Sequence, residues 1–446
     1  MAKKRKVALV SLGCPKNLVD SEVMLATLEA AEYEISEEIH KADAIVINTC
    51  AFIQAAQDEA IEAILEISEL KESGKCKAVV VAGCLGQRFG ADLLNELPEV
   101  DGVLGPNDTA HVVEVVDAAL RGDRPVEVDE TGVAEAGAAR WTSGTTVSRY
   151  VKIAEGCDHA CSFCTIPRLR GSYRSRPPDA IVQECRAMVE DGTKEIVFVA
   201  QDTTAYGSDL EPMHSLAKVI HSLRTMSFDG WLRFMYMHPD RLEEELITAI
   251  GEHMTAVNYF DIPLQHVAPS VLESMRRGGG PEEYLKLIDD IRAIIPDAAI
   301  RTTFLLGYPG ETAKDFKLLL DFAEEARLDR VSCFAFSCQD TTPAAQLPDQ
   351  VPPEVASERV EMLMEAQEAI SLERNQRFEQ QRLRVLLEDQ DDRTGDWIGR
   401  SYRDAPEVDG QVLLTAEKAT QTPEIGTFVW AIIEEALVHD LRGRIA

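Results

Sequence analysis

Short apolar runs alternate with stretches of helical spacing through the first third of the chain. Lys6–Leu12, Ala44–Asn48 and Ala78–Ala82 read as strands, and Leu18–Ala31 and Phe52–Leu70 as helices. Such alternation predicts a parallel sheet covered by helices, a doubly wound domain. Arg121–Ser148 is rich in Gly, Ala, Thr and Glu without a clear period and reads as a linker. A second series of strands follows at Tyr150–Ala154, Glu195–Ala200, Trp231–Tyr236, Val257–Ile262, Ala299–Leu306 and Arg330–Phe336. Helical segments such as Asp179–Asp191, Met213–Met226 and Pro281–Ile295 lie between them. Six β/α units are fewer than a closed eightfold barrel needs, so an open, partial (β/α)6 barrel is expected. After Pro352-Pro353, Glu354–Gln381 reads as a long amphipathic helix, and short strands with turns from Leu383 to Ala446 predict a small antiparallel β-barrel. The expected class is α/β with domains at 1–125, 149–380 and 381–446 and a linker at 126–148.

Composition narrows the function. At 45% apolar and 27% charged residues, the 446-residue chain has the make-up of a globular protein. Its 45 Lys+Arg against 77 Asp+Glu give a net charge of −32. Counted by section, residues 1–145 carry −13, 146–375 carry −14 and 376–446 carry −5. Every part therefore repels phosphate backbones, which argues against direct RNA reading and for a basic partner. No apolar run approaches the roughly 18 residues of a membrane span. The basic start Lys3–Lys6 leads into too short an apolar stretch for a signal peptide, and reads as the solvated beginning of a strand. Ten cysteines in such a chain point to reduced thiols in the cytosol, used for metal or redox chemistry.

Those cysteines fall into two constellations. Cys157, Cys161 and Cys164 sit on one tight loop, a spacing that lets three thiolates hold three irons of a 4Fe–4S cube and leaves the fourth iron open. A zinc site would want a fourth ligand, and His159 inside the loop is a poor one. Cys14, Cys50 and Cys84 each follow a predicted strand, at intervals of about one βαβ unit. In a parallel sheet they emerge at the carboxyl edge, where α/β sheets bind ligands, and could hold a second cluster. The alternative is three small buried residues. Cys76, Cys185, Cys333 and Cys338 lack such geometry and are read as non-ligands.

The C-x3-C-x2-C loop after the first barrel strand resembles the radical S-adenosylmethionine superfamily. The resemblance implies that the open iron chelates S-adenosylmethionine and that one-electron reduction yields a 5′-deoxyadenosyl radical. It also implies that Phe163 contacts the adenine and that Glu195, after Gly192-Thr-Lys, lies by the methionine amino group. Arg301 is a candidate for a cofactor or substrate carboxylate, or for a structural ion pair; Gln265-His266 and Tyr236-Met-His238 have the same two readings. Two three-cysteine sets, with Ser11-Leu-Gly-Cys-Pro-Lys-Asn-Leu-Val-Asp-Ser-Glu22, Asn48-Thr-Cys50, Pro263-Leu-Gln-His266 and the stretch from Arg301 to Glu311, resemble the methylthiotransferases over nearly the whole chain. What this implies is a terminal TRAM domain that presents substrate, two 4Fe–4S clusters, and two S-adenosylmethionine molecules per turnover, one as methyl donor and one as radical source.

Family members divide mainly between transfer RNA adenosines and an aspartate of the basic small-subunit ribosomal protein S-twelve. Acidity throughout, Gly13-Cys-Pro-Lys-Asn17, and the stretch Gly399–Gly410 resemble the ribosomal-protein branch. The expected reaction is methylthiolation of that aspartate's β-carbon by a monomeric enzyme. The same chemistry on transfer RNA, or a non-catalytic iron–sulfur sensor docking a basic protein, are the alternatives. Neither the sulfur donor nor the electron donor is legible in the chain.

Overall fold

Runs such as Ile45-Val46-Ile47 and Val79-Val80-Val81 are apolar on both sides of the strand, as a strand between two helical layers requires. In the structure, a computed structural model, they lie at the centre of a six-stranded parallel sheet. Residues 4–129, 139–142, 147–416 and 423–446 are described; Lys3 and the linker positions 130–138 and 143–146 lie outside the described residues. The sheet comprises β1 (Lys6–Ser11), β2 (Glu34–Ile35), β3 (Ala44–Thr49), β4 (Ala78–Gly83), β5 (Gly102–Leu104) and β6 (Val126–Glu127), in the order β2-β1-β3-β4-β5-β6. β6 falls within the stretch read as linker. Two residues are too few to show a period, yet Val103 and Leu104 pair with them.

Alternate strand residues serve opposite cores. Ile45, Ile47, Val79 and Val81 pack with Ala60, Ile64 and Ile67 of the helix Gln54–Ser68. Ala44, Val46, Ala78 and Val80 pack with Met24 and Leu28 of the helix Pro15–Ala30 and with Val112, Val115 and Val116 of the helix Val112–Arg121. The domain is thus doubly wound, and its strand order reverses between β1 and β3.

By contact the chain divides into two compact units. The first holds this sheet together with Lys152–Ala180 and Ser337–Ala345. Residues 152–180, expected to belong with the barrel, therefore group with the sheet. After β7 (Ser148–Lys152) they form an antiparallel hairpin, β8 (Ala154–Glu155) against β9 (Arg174–Ser175).

The second unit carries the open barrel and the terminal domain. β7, β10 (Glu195–Val199) and β11 (Trp231–Phe234) form one three-stranded sheet, and β12 (Tyr259–Asp261), β13 (Ala299–Leu306) and β14 (Arg330–Ala335) another. A parallel bridge from Leu232 to Ala256 joins them, giving six strands where eight would close. The helix Pro353–Gln376 ends before the expected Gln381, because Gln380 turns to φ +63° and donates its N–H to Ile433 O at 2.8 Å.

β15 (Arg382–Gln390), β16 (Trp397–Ser401), β17 (Val412–Thr415), β18 (Phe428–Ala436) and β19 (Leu441–Ile445) close into a barrel around Val385, Leu387, Val412, Leu414 and Ile433. An entirely antiparallel barrel was expected; the β17–β19 seam is parallel. A ring with an odd number of strands cannot alternate direction all the way round, so one parallel pair is forced.

His266, just past β12, is fully buried. Its Nδ1 accepts from Ala268 N at 3.0 Å and its Nε2 lies 4.0 Å from Glu311. Burial lowers its pKa to about 4 from 6.5. A histidine buried neutral stabilises the fold fully above pH 6.5, and that contribution is lost as pH falls toward 4. His266→Gln is therefore expected to flatten the fall in denaturation midpoint between those pH values, measured in chemical unfolding.

Candidate functional site

Three tight turns at the carboxyl edge of the first sheet carry Cys14, Cys50 and Cys84, and side-chain hydrogen bonds knit them together. Cys14 is the residue before the helix Pro15–Ala30, whose first-turn Pro15 gives up an N–H that had no partner in any case. One turn on, the buried Asn17 donates from Nδ2 to Leu12 O at 3.0 Å and to Thr49 O at 2.9 Å. Asn48 returns a bond from Nδ2 to Asn17 O at 2.8 Å, and Thr49 Oγ1 donates to Ala82 O at 2.6 Å. Two glycines allow this closeness. Gly13 has φ +92° and any Cβ there would stand 2.7 Å from Cys50 Cβ; Gly83 has φ +87° and a Cβ would stand 2.3 Å from Asn48 Oδ1. The turns after β1 and β3 flank the strand-order reversal, the place where open α/β sheets take ligands, and the turn after β4 lies one strand further on.

The second set sits on the loop closed by the β8–β9 hairpin. Cys157 N donates to Gly171 O at 3.1 Å, Cys164 N to Cys161 O at 3.1 Å, and the Asp158 carboxylate accepts from Tyr173 N at 2.9 Å. Ala344 N donates to Ser162 O at 2.8 Å. All three cysteines are half-buried, as is Phe163 beside them. Both cysteine sets therefore belong to one compact unit.

Burial pushes the Cys50 thiol up and the Cys84 thiol up to about 12, with the Arg170 guanidinium opposing the rise. Thiols so placed become thiolates on binding a metal. Among the described residues, no three His, Cys, Asp or Glu are grouped to hold a single metal ion. Cluster ligands need not be, since each cysteine takes a different iron.

Sequence comparison agrees with this arrangement. The uncharacterized protein family UPF0004 matches residues 6–105, the radical SAM superfamily residues 151–323 and the TRAM domain residues 381–446. The ribosomal protein uS12 methylthiotransferase RimO of Desulforamulus reducens is 42% identical, over 99% of both chains. The enzyme of that name from Desulforudis audaxviator is 44% identical, over all of this chain and 98% of its own. The chain belongs to the radical S-adenosylmethionine methylthiotransferase family, in its RimO branch. Among solved structures, the radical S-adenosylmethionine methyltransferase TsrM of Kitasatospora setae shares the fold, with a TM-score of 0.56 at 16% identity over 77% of each chain. The cobalamin-dependent radical enzyme OxsB aligns with a TM-score of 0.52 at 13% identity, over 81% of this chain and 56% of its own. As in other radical S-adenosylmethionine enzymes, the family's chemistry calls for a 4Fe–4S cluster and S-adenosylmethionine.

Two residues expected as cofactor contacts of this methylthiotransferase are held in ion pairs within the second unit. Glu195 is fully buried, 2.8 Å from Arg233 Nε and 2.5 Å from Arg400 Nη2, and accepts from Ser148 Oγ at 2.8 Å. Burial alone would raise its pKa; the two arginines more than reverse this and hold it at about 2. Glu195 thus has no open surface to offer a cofactor. Arg301 is likewise taken, by Asp261 at 2.9 Å and Asp409 at 3.3 Å. These partners lie far off in the sequence, where no local pattern announces them.

Reasoning from sequence also missed Asn17, Lys152, Glu155 and Arg170 around the first unit's cysteines. The one signal was a run of arginines, Arg168, Arg170, Arg174 and Arg176, in an otherwise acidic chain. Cys76 and Cys185 are buried, Cys76 donates to Ala78 O, and Cys333 donates to Val360 O.

Glu195→Ala strips two buried arginines of a shared partner, so a loss of about 3–5 kcal/mol is expected in denaturant unfolding. The carboxylate's contribution is present above pH 4.5 and lost as pH falls toward about 2. Binding of S-adenosylmethionine by the folded variant, followed by equilibrium dialysis, should match wild type.

Proposed function

We propose that this methylthiotransferase installs its methylthio group on the β-carbon of an aspartate in the small-subunit ribosomal protein uS12. The observation that carries the reading is similarity along the whole chain, at 40–44%, to relatives named for that substrate. Charge supports it. Each section of the chain is acidic, which speeds encounter with a lysine- and arginine-rich protein and disfavours an RNA strand.

In this reading, Cys157, Cys161 and Cys164 hold one 4Fe–4S cluster and Cys14, Cys50 and Cys84 a second, each leaving one iron open. The donor sets fit: three thiols apiece on short turns. When bound, the first cluster supplies the electron that cleaves S-adenosylmethionine to give a hydrogen-abstracting radical, and the second keeps the sulfur to be methylated by a further S-adenosylmethionine. The chain's own part is positional. Gly13 and Gly83 let the turns close, Asn17 and Thr49 lock them, and Phe163, on the cysteine loop, would pack against the adenine.

Two measurements test this. Anaerobically reconstituted protein should hold about eight irons and eight sulfides, and the Cys14→Ala, Cys50→Ala, Cys84→Ala triple variant about four. Offered a uS12 peptide and transfer RNA separately, wild type should add the methylthio mass to the peptide. Modification of RNA alone would transfer the reading to the other branch, and a failure to form 5′-deoxyadenosine under reduction would end the enzymatic one.

A further inference from the structure

Arg170 closes the helix Ile166–Arg170 that leaves the Cys157 loop, and only 1% of its side chain is exposed. Nη1 reaches Glu155 at 2.9 Å and Asp20 at 3.1 Å, and Nη2 donates to Asn17 Oδ1 at 2.5 Å. The guanidinium's positive charge also opposes the rise that burial imposes on the Cys84 thiol. Lys152 completes the cluster, against Asp20 and, at 2.6 Å, Glu155. Asn17 and Asp20 lie three and six residues after Cys14, and Glu155 lies two before Cys157. A single side chain therefore touches the helix that begins beside Cys14 and the base of the loop that bears the other set.

Burying two cations and two carboxylates carries a desolvation cost that apolar packing of equal volume would avoid. Stability alone does not explain the cluster; fixed geometry does. A planar fork with five donors can grip acceptors on several elements at once, which an ammonium on a flexible stem cannot. We propose that Arg170 is a positioning residue that holds the Cys14–Cys50–Cys84 turns at one separation and orientation from the Cys157 loop, so that sulfur transfer stays coupled to cofactor cleavage. The proposal rests on the two-cluster reading above. It has a second consequence, because a buried cation beside the turns that carry the ligands raises the potential of a cluster held there.

The test compares wild type with Arg170→Gln, Arg170→Lys and Asp20→Asn after anaerobic reconstitution. Iron and sulfide are counted, the midpoint potential of the first set's cluster is measured, and 5′-deoxyadenosine is compared with methylthiolated uS12 peptide. Loss of the fork in either Arg170 variant should raise 5′-deoxyadenosine per product by roughly tenfold or more. The potential should move negative in Arg170→Gln and stay near wild type in Arg170→Lys, which keeps the charge. Should Arg170→Gln fail to fold, Asp20→Asn decides. That variant leaves Arg170 its bonds to Glu155 and Asn17 and weakens its hold on the helix beside Cys14, so a raised ratio supports the proposal and a wild-type ratio overturns it. Wild type near eight irons with unchanged ratio and potential in the variants overturns the role of Arg170 alone; wild type near four overturns it together with the two-cluster reading.

Discussion

Strand polarity is the constraint from which the site follows. Because β1, β3 and β4 run parallel, each must end at the same edge of the sheet, and whatever follows each strand meets its counterparts there. A cysteine placed just past each strand is thereby gathered with two others from 36 and 34 residues away. Backbone polarity alone gives proximity only. The residual freedom of the turns is removed by Asn17, Asn48 and Thr49, whose amides and hydroxyl satisfy carbonyls on neighbouring turns. Such carbonyls, left unpaired in a buried edge, would cost about 1–3 kcal/mol each. The turns that carry the thiols are thus held by bonds that the fold needs in any case.

A comparable economy holds in the second unit. Glu195, Arg233 and Arg400 tie β10 to β11 and to β16 of the terminal barrel. The Arg330–Asp404 pair links β14 to the same domain at 2.6 Å. Buried pairs of this kind add little net stability over apolar packing, yet each tolerates one arrangement of its partners. Their yield is registry between the open barrel and the domain that follows it. The same logic separates Arg170 from an ordinary core residue: its three partners come from the helix Pro15–Ala30 and from β8, and only one arrangement satisfies all of them.

What was legible in the sequence tracks the range over which each signal acts. A strand such as Ala78–Gly83 announces itself, since burial on both faces demands an unbroken apolar run. The cysteine sets were visible as spacing and as position past a strand. Two-residue strands were not, because β2, β6, β8 and β9 are too short to show any period. Nor were pairings decided by distant residues. Glu195 meets Arg233 and Arg400 across 38 and 205 positions, and Arg170 meets Asn17 across 153. Read locally, a glutamate entering a strand beside Gly192-Thr-Lys looks like a cofactor contact; read in three dimensions, it is the counter-ion of two arginines.

Those pairings also bear on the surface. Buried Arg170, Arg233, Arg330, Arg400 and Arg403 are matched inside by Asp20, Glu155, Glu195, Asp329 and Asp404. The interior therefore nearly cancels, and the excess of −32 is carried where solvent and partners meet it. An arginine-rich stretch in the sequence, such as Arg168–Arg176, then says little of a basic exterior when two of its four arginines, Arg170 and Arg176, are buried. The uS12 reading needs an outward field of one sign, and the excess of 77 acidic over 45 basic side chains supplies it, since burying both signs equally leaves that excess outside.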